Sequence, residues 1–178
     1  MPFADVNGYR IRYALHGDAS APLLTFINGL TQNADLWTAY GARLSERGYR
    51  VLAYDMLGQG QSAKPVLGTE LSDHAVILAG LLDHVGVRST HLAGISFGGV
   101  IALDFALRHA EKLDSLTVMS SFAELTPQLE CLGEVLYEGL TQVGLPYLQS
   151  ILYPMNMSSA WLAANRARIP EMKRAGYI

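Results

Sequence analysis

Gly94-Ile95-Ser96-Phe97-Gly98-Gly99 is the stretch that decides how this chain is read. Residues 90–95, following a helix closed by Gly86, read as a strand, and residues 97–107 have helical composition, so the serine sits at a strand-to-helix turn. Two glycines and a serine at fixed places arise by chance in a chain of this length with a probability of about 5%, at about 7% per residue type. The strand before and the helix after make coincidence rarer. A nucleophile on so tight a turn must hold strained dihedrals, and glycines two residues either side let strand and helix pass without Cβ clashes. The serine oxygen is thereby pushed beyond the sheet. Phe97, opening the helix, offers a backbone N–H with no helical acceptor, aligned with the helix dipole toward a developing oxyanion. Stripped of chemistry, the same pattern is a glycine-rich turn with Ser96 as a helix cap.

Working outward, residues 9–16 alternate as a strand does, and residues 23–28 form a short apolar run between Pro22 and Gly29. Residues 34–47 place Leu36, Trp37, Tyr40 and Leu44 on one helical face before Gly48, and residues 49–54 return to strand character. Ser72 reads as the N-cap of a helix through Val85, closed by Gly86. Residues 113–119 make the next strand. Strand and helix thus alternate, which implies parallel crossovers. The expected fold class is α/β: a mostly parallel sheet with helices on both faces, over residues 1–121. Beyond Ser121 the pattern turns helical (residues 129–143, 146–152 and 158–168), broken by Gly144, Pro154 and Pro170. Residues 122–178 are expected to form a helical cap or lid.

Half of the 178 residues are hydrophobic and only 16% are charged, as expected when both faces of a sheet are covered. No apolar run approaches the length of a membrane span, and no charged segment leads into an apolar one at the N-terminus, so a cytoplasmic location is expected, with no membrane partner. The single cysteine, Cys131, is compatible with a reducing compartment and reads as a small buried hydrophobe. Thirteen basic and sixteen acidic residues, scattered along the chain, give no footprint for nucleic acid. No metal-ligand spacing and no phosphate-binding glycine pattern is present, so no cofactor is expected.

A second loop complements the serine turn. Asn28-Gly29-Leu30-Thr31 follows an earlier strand, and its backbone, at Leu30, is placed to give a second oxyanion hydrogen bond. A third segment is Asp55-Met56-Leu57-Gly58-Gln59-Gly60-Gln61-Ser62. On these three segments, with Trp37 downstream of the second, the chain resembles the α/β-hydrolase fold superfamily from about residue 3 to residue 121. It departs from the usual pattern where Leu57 and Gln59 replace an arginine and a histidine, and where Asn28 replaces a histidine. The resemblance implies a serine hydrolase acting on an ester, lactone or thioester, with Ser96 as nucleophile and the Phe97 and Leu30 N–H groups as oxyanion donors. It implies Asn28, Gly29 and Trp37 at the substrate. A small, apolar acyl compound is the expected partner. Transfer of the acyl group to another acceptor, and a non-catalytic binding module, remain open.

A serine hydroxyl needs a base, and an acid to orient that base. His16, His74, His84 and His91 all precede Ser96, and His109 lies at the far end of the following helix, about 18 Å away at 1.5 Å per residue. None is expected to serve. In the family the acid and histidine follow further strands that are not visible here. Glu124, just past the last strand, is the one carboxylate placed as an alternative acid; Asp55 and Asp104 read as a turn residue and a polar helix position. The expectation is therefore that this chain alone is inactive, a fragment completed by a C-terminal segment or a second chain.

Overall fold

Asn7 and Gly8 both adopt positive φ (51° and 82°), the geometry of a two-residue hairpin turn whose twist matches that of the strands it joins. The turn pairs β1 (Phe3–Val6) with β2 (Tyr9–His16) in antiparallel register, Val6 opposite Tyr9. The remaining strands are β3 (Leu23–Ile27), β4 (Arg50–Tyr54), β5 (Thr90–Ile95) and β6 (Leu113–Met119). In this computed structural model, which describes residues 1–66 and 68–174, they form one six-stranded sheet in the order β1-β2-β4-β3-β5-β6. β4, β3, β5 and β6 run parallel, and β2 joins β4 antiparallel. This is the expected mostly parallel α/β sheet. The first hairpin strand went unread because β1 holds only four residues; the Asn-Gly dipeptide at its end was the signal for it.

The crossover helices are α1 (Thr38–Ser45), entered through a 3-10 turn at Ala34–Trp37, α2 (Leu71–His84) and α3 (Phe97–Arg108). The expected single helix over residues 34–47 is thus two pieces, divided between Trp37 and Thr38; Asn33 caps the 3-10 turn, its side chain accepting the Asp35 N–H at 3.0 Å. Helix α2 starts one residue before Ser72. Glu70 is its N-cap, and the Asp73 carboxylate reaches back to accept the Glu70 N–H at 2.9 Å, so Ser72 lies inside the first turn.

Alternation along the strands sorts the core into two layers. Leu23, Ile27, Leu52, Tyr54 and Leu92 pack with Leu78, Leu81 and Leu82 of α2 and Ile101 and Phe105 of α3. Phe26, Val51 and Ala93 pack with Ala34 and Trp37 on the opposite face. Side chains alternate along a strand, so one sequence supplies both layers, each fully buried Leu, Ile or Phe stabilising the fold by about 1.5–3 kcal/mol.

His74 on α2 is buried, its ring edge-on to Phe97 at 5.8 Å and its Nε2 3.2 Å from Thr69 Oγ1. Burial holds its pKa below the ordinary value of 6.5, with Asp73 pulling weakly the other way. The folded protein therefore prefers a neutral imidazole, whereas the unfolded chain takes up a proton as pH falls through 6.5. Stability is expected to drop as pH is lowered from 7 toward the folded-state pKa. Urea midpoints at about pH 7 and 5.5 check this: His74→Leu should lose less stability over that interval than the parent.

The described residues fall into two compact units, the first Met1–Ala123 and the second beginning at Glu124. The second is helical: α4 (Pro127–Glu138), α5 (Leu145–Asn156), α6 (Ser159–Asn165) and α7 (Ile169–Arg174), with a π turn at Gly139–Val143 between α4 and α5. Thr126 and Ser158 cap α4 and α6. Pro154 lies within α5 and Pro170 in the first turn of α7, so neither ends a helix as expected; Pro170 sits where a missing N–H is harmless. Cys131 is exposed, contrary to its reading as a core residue, because α4 buries none of its side chains. Among the described residues no helix is long and apolar enough to cross a membrane.

Candidate active site

Because β3 and β5 are adjacent and parallel, the loops leaving their C-terminal ends emerge side by side. The β5 loop is Ser96 itself, at φ 54° and ψ −123°, a region that costs a non-glycine residue about 1–3 kcal/mol. Four bonds hold it there, one of them the ordinary helical bond from the Val100 N–H to Ser96 O (3.3 Å). The Ser96 N–H donates to Met119 O at the end of β6 (2.9 Å), and Ser96 O accepts from the Gly99 N–H (2.8 Å) and Ser121 Oγ (2.7 Å). Ser96 is exposed, and Phe97 N is the first N–H of α3, with no acceptor inside the helix.

The flanking glycines are required by close approach. A Cβ on Gly98 would fall 2.3 Å from Asn28 O and 2.4 Å from Ile27 O, and one on Gly94 would fall 2.3 Å from Gly98 O. The start of α3 is thus pressed against both its own strand and the end of β3. A Cβ on Gly29 would lie 3.4 Å from Ser96 Cβ, so the second loop borders the serine directly. Gly29 is tied by both its polar groups: its N–H donates to Gln32 Oε1 (2.8 Å), and its carbonyl accepts from Gln59 Nε2 (3.3 Å) and the Gln32 N–H (3.4 Å). Leu30 follows, 55% exposed.

Asn28 and Trp37, expected at the substrate, turn inward instead. Asn28 is fully buried; its Nδ2 donates to Tyr54 O (2.8 Å) and its Oδ1 accepts from Trp37 Nε1. Trp37 stacks on Phe26, ring centres 4.1 Å apart and 8° from parallel. The pair ties the β3 loop to β4 and to the 3-10 turn. Trp37→Phe keeps the stack but leaves Asn28 Oδ1 buried without that donor, an expected loss of about 1–3 kcal/mol in the urea-unfolding free energy.

Asp55, read from sequence as a turn residue, is a buried hub. Its carboxylate accepts from Arg12 Nη1 (3.1 Å), the Ala34 N–H (2.7 Å) and the Gln61 N–H (2.8 Å). Arg12 continues to Asp35 at 2.6 Å. A Cβ on Gly60 would overlap the carboxylate at 2.1 Å, so glycine there makes room for it. The aspartate–glycine pairing in Asp55 to Ser62 was visible; the partners at residues 12 and 34 were not.

The five histidines are engaged elsewhere. His16 packs against Gly41, His84 lies edge-on to Tyr13, His91 Nδ1 is 2.9 Å from Ser115 Oγ, and His109 packs on Phe105 with Glu111 at 3.7 Å. His74 bonds Thr69. Among the described residues none hydrogen-bonds Ser96. Glu124 is exposed at the start of the second unit, and Asp104 pairs with Arg108 along α3 at 2.7 Å.

The chain is 33% identical over 166 residues to a protein of Stutzerimonas stutzeri (strain A1501) named as a carbamate hydrolase, RutD, covering 89% of this chain and 61% of that protein. Among solved structures, MGS-M2, an α/β-hydrolase enzyme from a Medee basin deep-sea metagenome library, superposes with a TM-score of 0.87 at 24% identity, over 98% of this chain and 64% of its own. The enol-lactonase of Burkholderia xenovorans LB400 superposes with a TM-score of 0.83 at 24% identity, over 97% and 66% respectively. The chain therefore spans about three fifths to two thirds of the length of these relatives. The sequence pattern of the α/β-hydrolase fold matches residues 22–138, from just before β3 to the end of α4, and with more than half its length so matched the chain belongs to the α/β-hydrolase fold family.

Proposed function

We propose that this chain carries the nucleophile and oxyanion site of a serine hydrolase that cleaves a small, apolar ester, lactone or thioester. One observation carries the reading: Ser96 is exposed at the C-terminal end of β5 in a strained positive-φ conformation, with the first N–H of α3 beside it. Strain held by four hydrogen bonds needs a reason beyond folding, and presenting a nucleophile supplies one. In the proposed reaction Ser96 Oγ attacks the acyl carbon while a base takes its proton. The Phe97 and Leu30 N–H groups stabilise the oxyanion, and the alcohol or thiol leaves with that proton. Water then releases the acid and restores the serine. The base is a histidine other than the five engaged here, contributed by a further segment or a second chain. Names among the relatives, a carbamate hydrolase and an enol-lactonase, fit acyl chemistry at such a serine. The opposing reading is a binding module without catalysis, favoured by the engagement of all five histidines.

A serine-directed fluorophosphonate, applied to the full-length protein with peptide mapping, separates the two. Labelling at Ser96 that vanishes in Ser96→Ala is expected. Labelling that persists in Ser96→Ala overturns the proposal.

A further inference from the structure

The two glutamines that hold Gly29 do different work. Gln32 lies three residues away in the same loop; its Oε1 accepts the Gly29 N–H at 2.8 Å and its own N–H reaches the Gly29 carbonyl at 3.4 Å, local bonds that close the turn. Gln59 comes from the loop after β4, thirty residues on, and its Nε2 donates to the Gly29 carbonyl at 3.3 Å. That carbonyl belongs to the same peptide unit as the Leu30 N–H. A peptide is planar and trans, so its C=O and N–H point in opposite directions, and fixing one fixes the other. A hydrogen bond to the carbonyl also polarises the unit and strengthens its N–H as a donor.

We propose that Gln59 is a positioning residue of the oxyanion site: by donating to the Gly29 carbonyl it sets the tilt of the Gly29–Leu30 peptide and aims the Leu30 N–H at the oxyanion. The inference rests on the reading of Ser96 as nucleophile and Leu30 as donor. A second observation separates positioning from packing. Gln59 Oε1 is buried and among the described residues accepts no hydrogen bond. An unpaired buried acceptor destabilises a fold, so an apolar residue of the same length would serve stability better. Glutamine at 59 gives up stability for the bond that it makes to Gly29. Gln59 is itself anchored at the backbone, its N–H donating to Met56 O (3.0 Å) and its carbonyl accepting from the Ser62 N–H (3.2 Å), so the side chain springs from a fixed base.

The test compares Gln59→Met, which keeps the length and removes the donor, with Gln59→His, which restores a ring N–H, in the full-length protein acting on a p-nitrophenyl ester. Deleting an oxyanion donor outright lowers kcat by about 10²–10³-fold. Misaiming one is expected to lower it by about 10-fold in Gln59→Met, with KM within about twofold and thermal stability equal to or above the parent's. Gln59→His should recover most of the loss. An activity-independent reading is the Leu30 amide proton in the NMR spectrum, expected to move upfield in Gln59→Met and to return in Gln59→His. Unchanged kcat together with an unmoved Leu30 amide overturns the inference while leaving Ser96 as nucleophile intact. A fall in stability matching the loss of activity overturns it in favour of a packing role. Full activity in Ser96→Ala removes the reading on which it rests.

Discussion

Ser96→Gly is expected to be more stable than the parent and catalytically dead. Serine at φ 54° and ψ −123° sits where a Cβ is strained, at about 1–3 kcal/mol, and glycine occupies that region freely. Against this, glycine adds about 0.4–1 kcal/mol of unfolded-state entropy. Relief outweighs entropy over most of that range, so a net gain of about 1 kcal/mol is expected, seen as a rise of about 2–4 °C in Tm. On the proposed mechanism activity goes the other way: without Oγ no acyl-enzyme would form, and kcat of the full-length protein should fall by about 10⁴–10⁶-fold, leaving what the proposed oxyanion donors and binding alone supply. Ser96→Ala, which keeps the Cβ, should be equally inactive without the gain in Tm. Calorimetry and single-turnover kinetics on the three proteins read both effects. A Ser96→Gly protein no more stable than Ser96→Ala would show that the elbow stores no strain.

The largest loss of stability is expected from Asp55→Ala. Its carboxylate is fully buried and receives a guanidinium and two backbone N–H groups from three separate segments. Removing one partner of a buried ion pair costs about 3–5 kcal/mol because the other charge stays behind. Arg12, itself buried, would keep only Asp35, whose side chain is half exposed. Each orphaned N–H adds about 1–3 kcal/mol. The total rivals the 5–15 kcal/mol that holds a typical domain together, so little folded protein is expected at 37 °C. Asp55→Asn should do almost as badly, since its amide turns two hydrogens toward a site built entirely of donors. Replacing Arg12 as well, in Asp55→Ala/Arg12→Ala, should restore part of the loss, and the coupling in urea unfolding measures the pair.

What was legible in the sequence follows from where each interaction reaches. The elbow was legible because all of its requirements fall within six consecutive residues: a strand, two glycines, a serine and a helix start. The strands and helices of the first unit were legible through their periods, apart from β1, four residues long, the division of the segment after β3 into a 3-10 turn and α1, and the cap of α2, which is Glu70 with Asp73 as its partner rather than Ser72. Asn28 and Trp37, read as facing the substrate, both turn inward. Nothing in the order of residues says that the indole nitrogen of residue 37 meets the amide oxygen of residue 28 inside the protein. Asp55 was misread for the same reason, its partners lying 43 and 21 residues upstream. Gln59 stood out as a departure from the family pattern, but its bond to Gly29 spans thirty residues and needed the folded chain.

The adjacency of β3 and β5 has a consequence for how the protein comes to life. Ser96 and the β3 loop that borders it are separated by more than sixty residues of chain, and they meet only when Phe26 and Ile27 pair with Ala93 and Gly94. Closing so long a loop is slow compared with forming either neighbouring helix, because contacts between distant segments must overcome chain entropy before they contribute anything. The serine turn can form locally with β5 and α3, yet the proposed oxyanion site cannot be whole until the centre of the sheet has zipped. During refolding of the full-length protein, labelling of Ser96 by a serine-directed probe should, on the proposed role, lag behind helical signal and arrive with the last long-range pairing, which would make that side chain a reporter of completed folding.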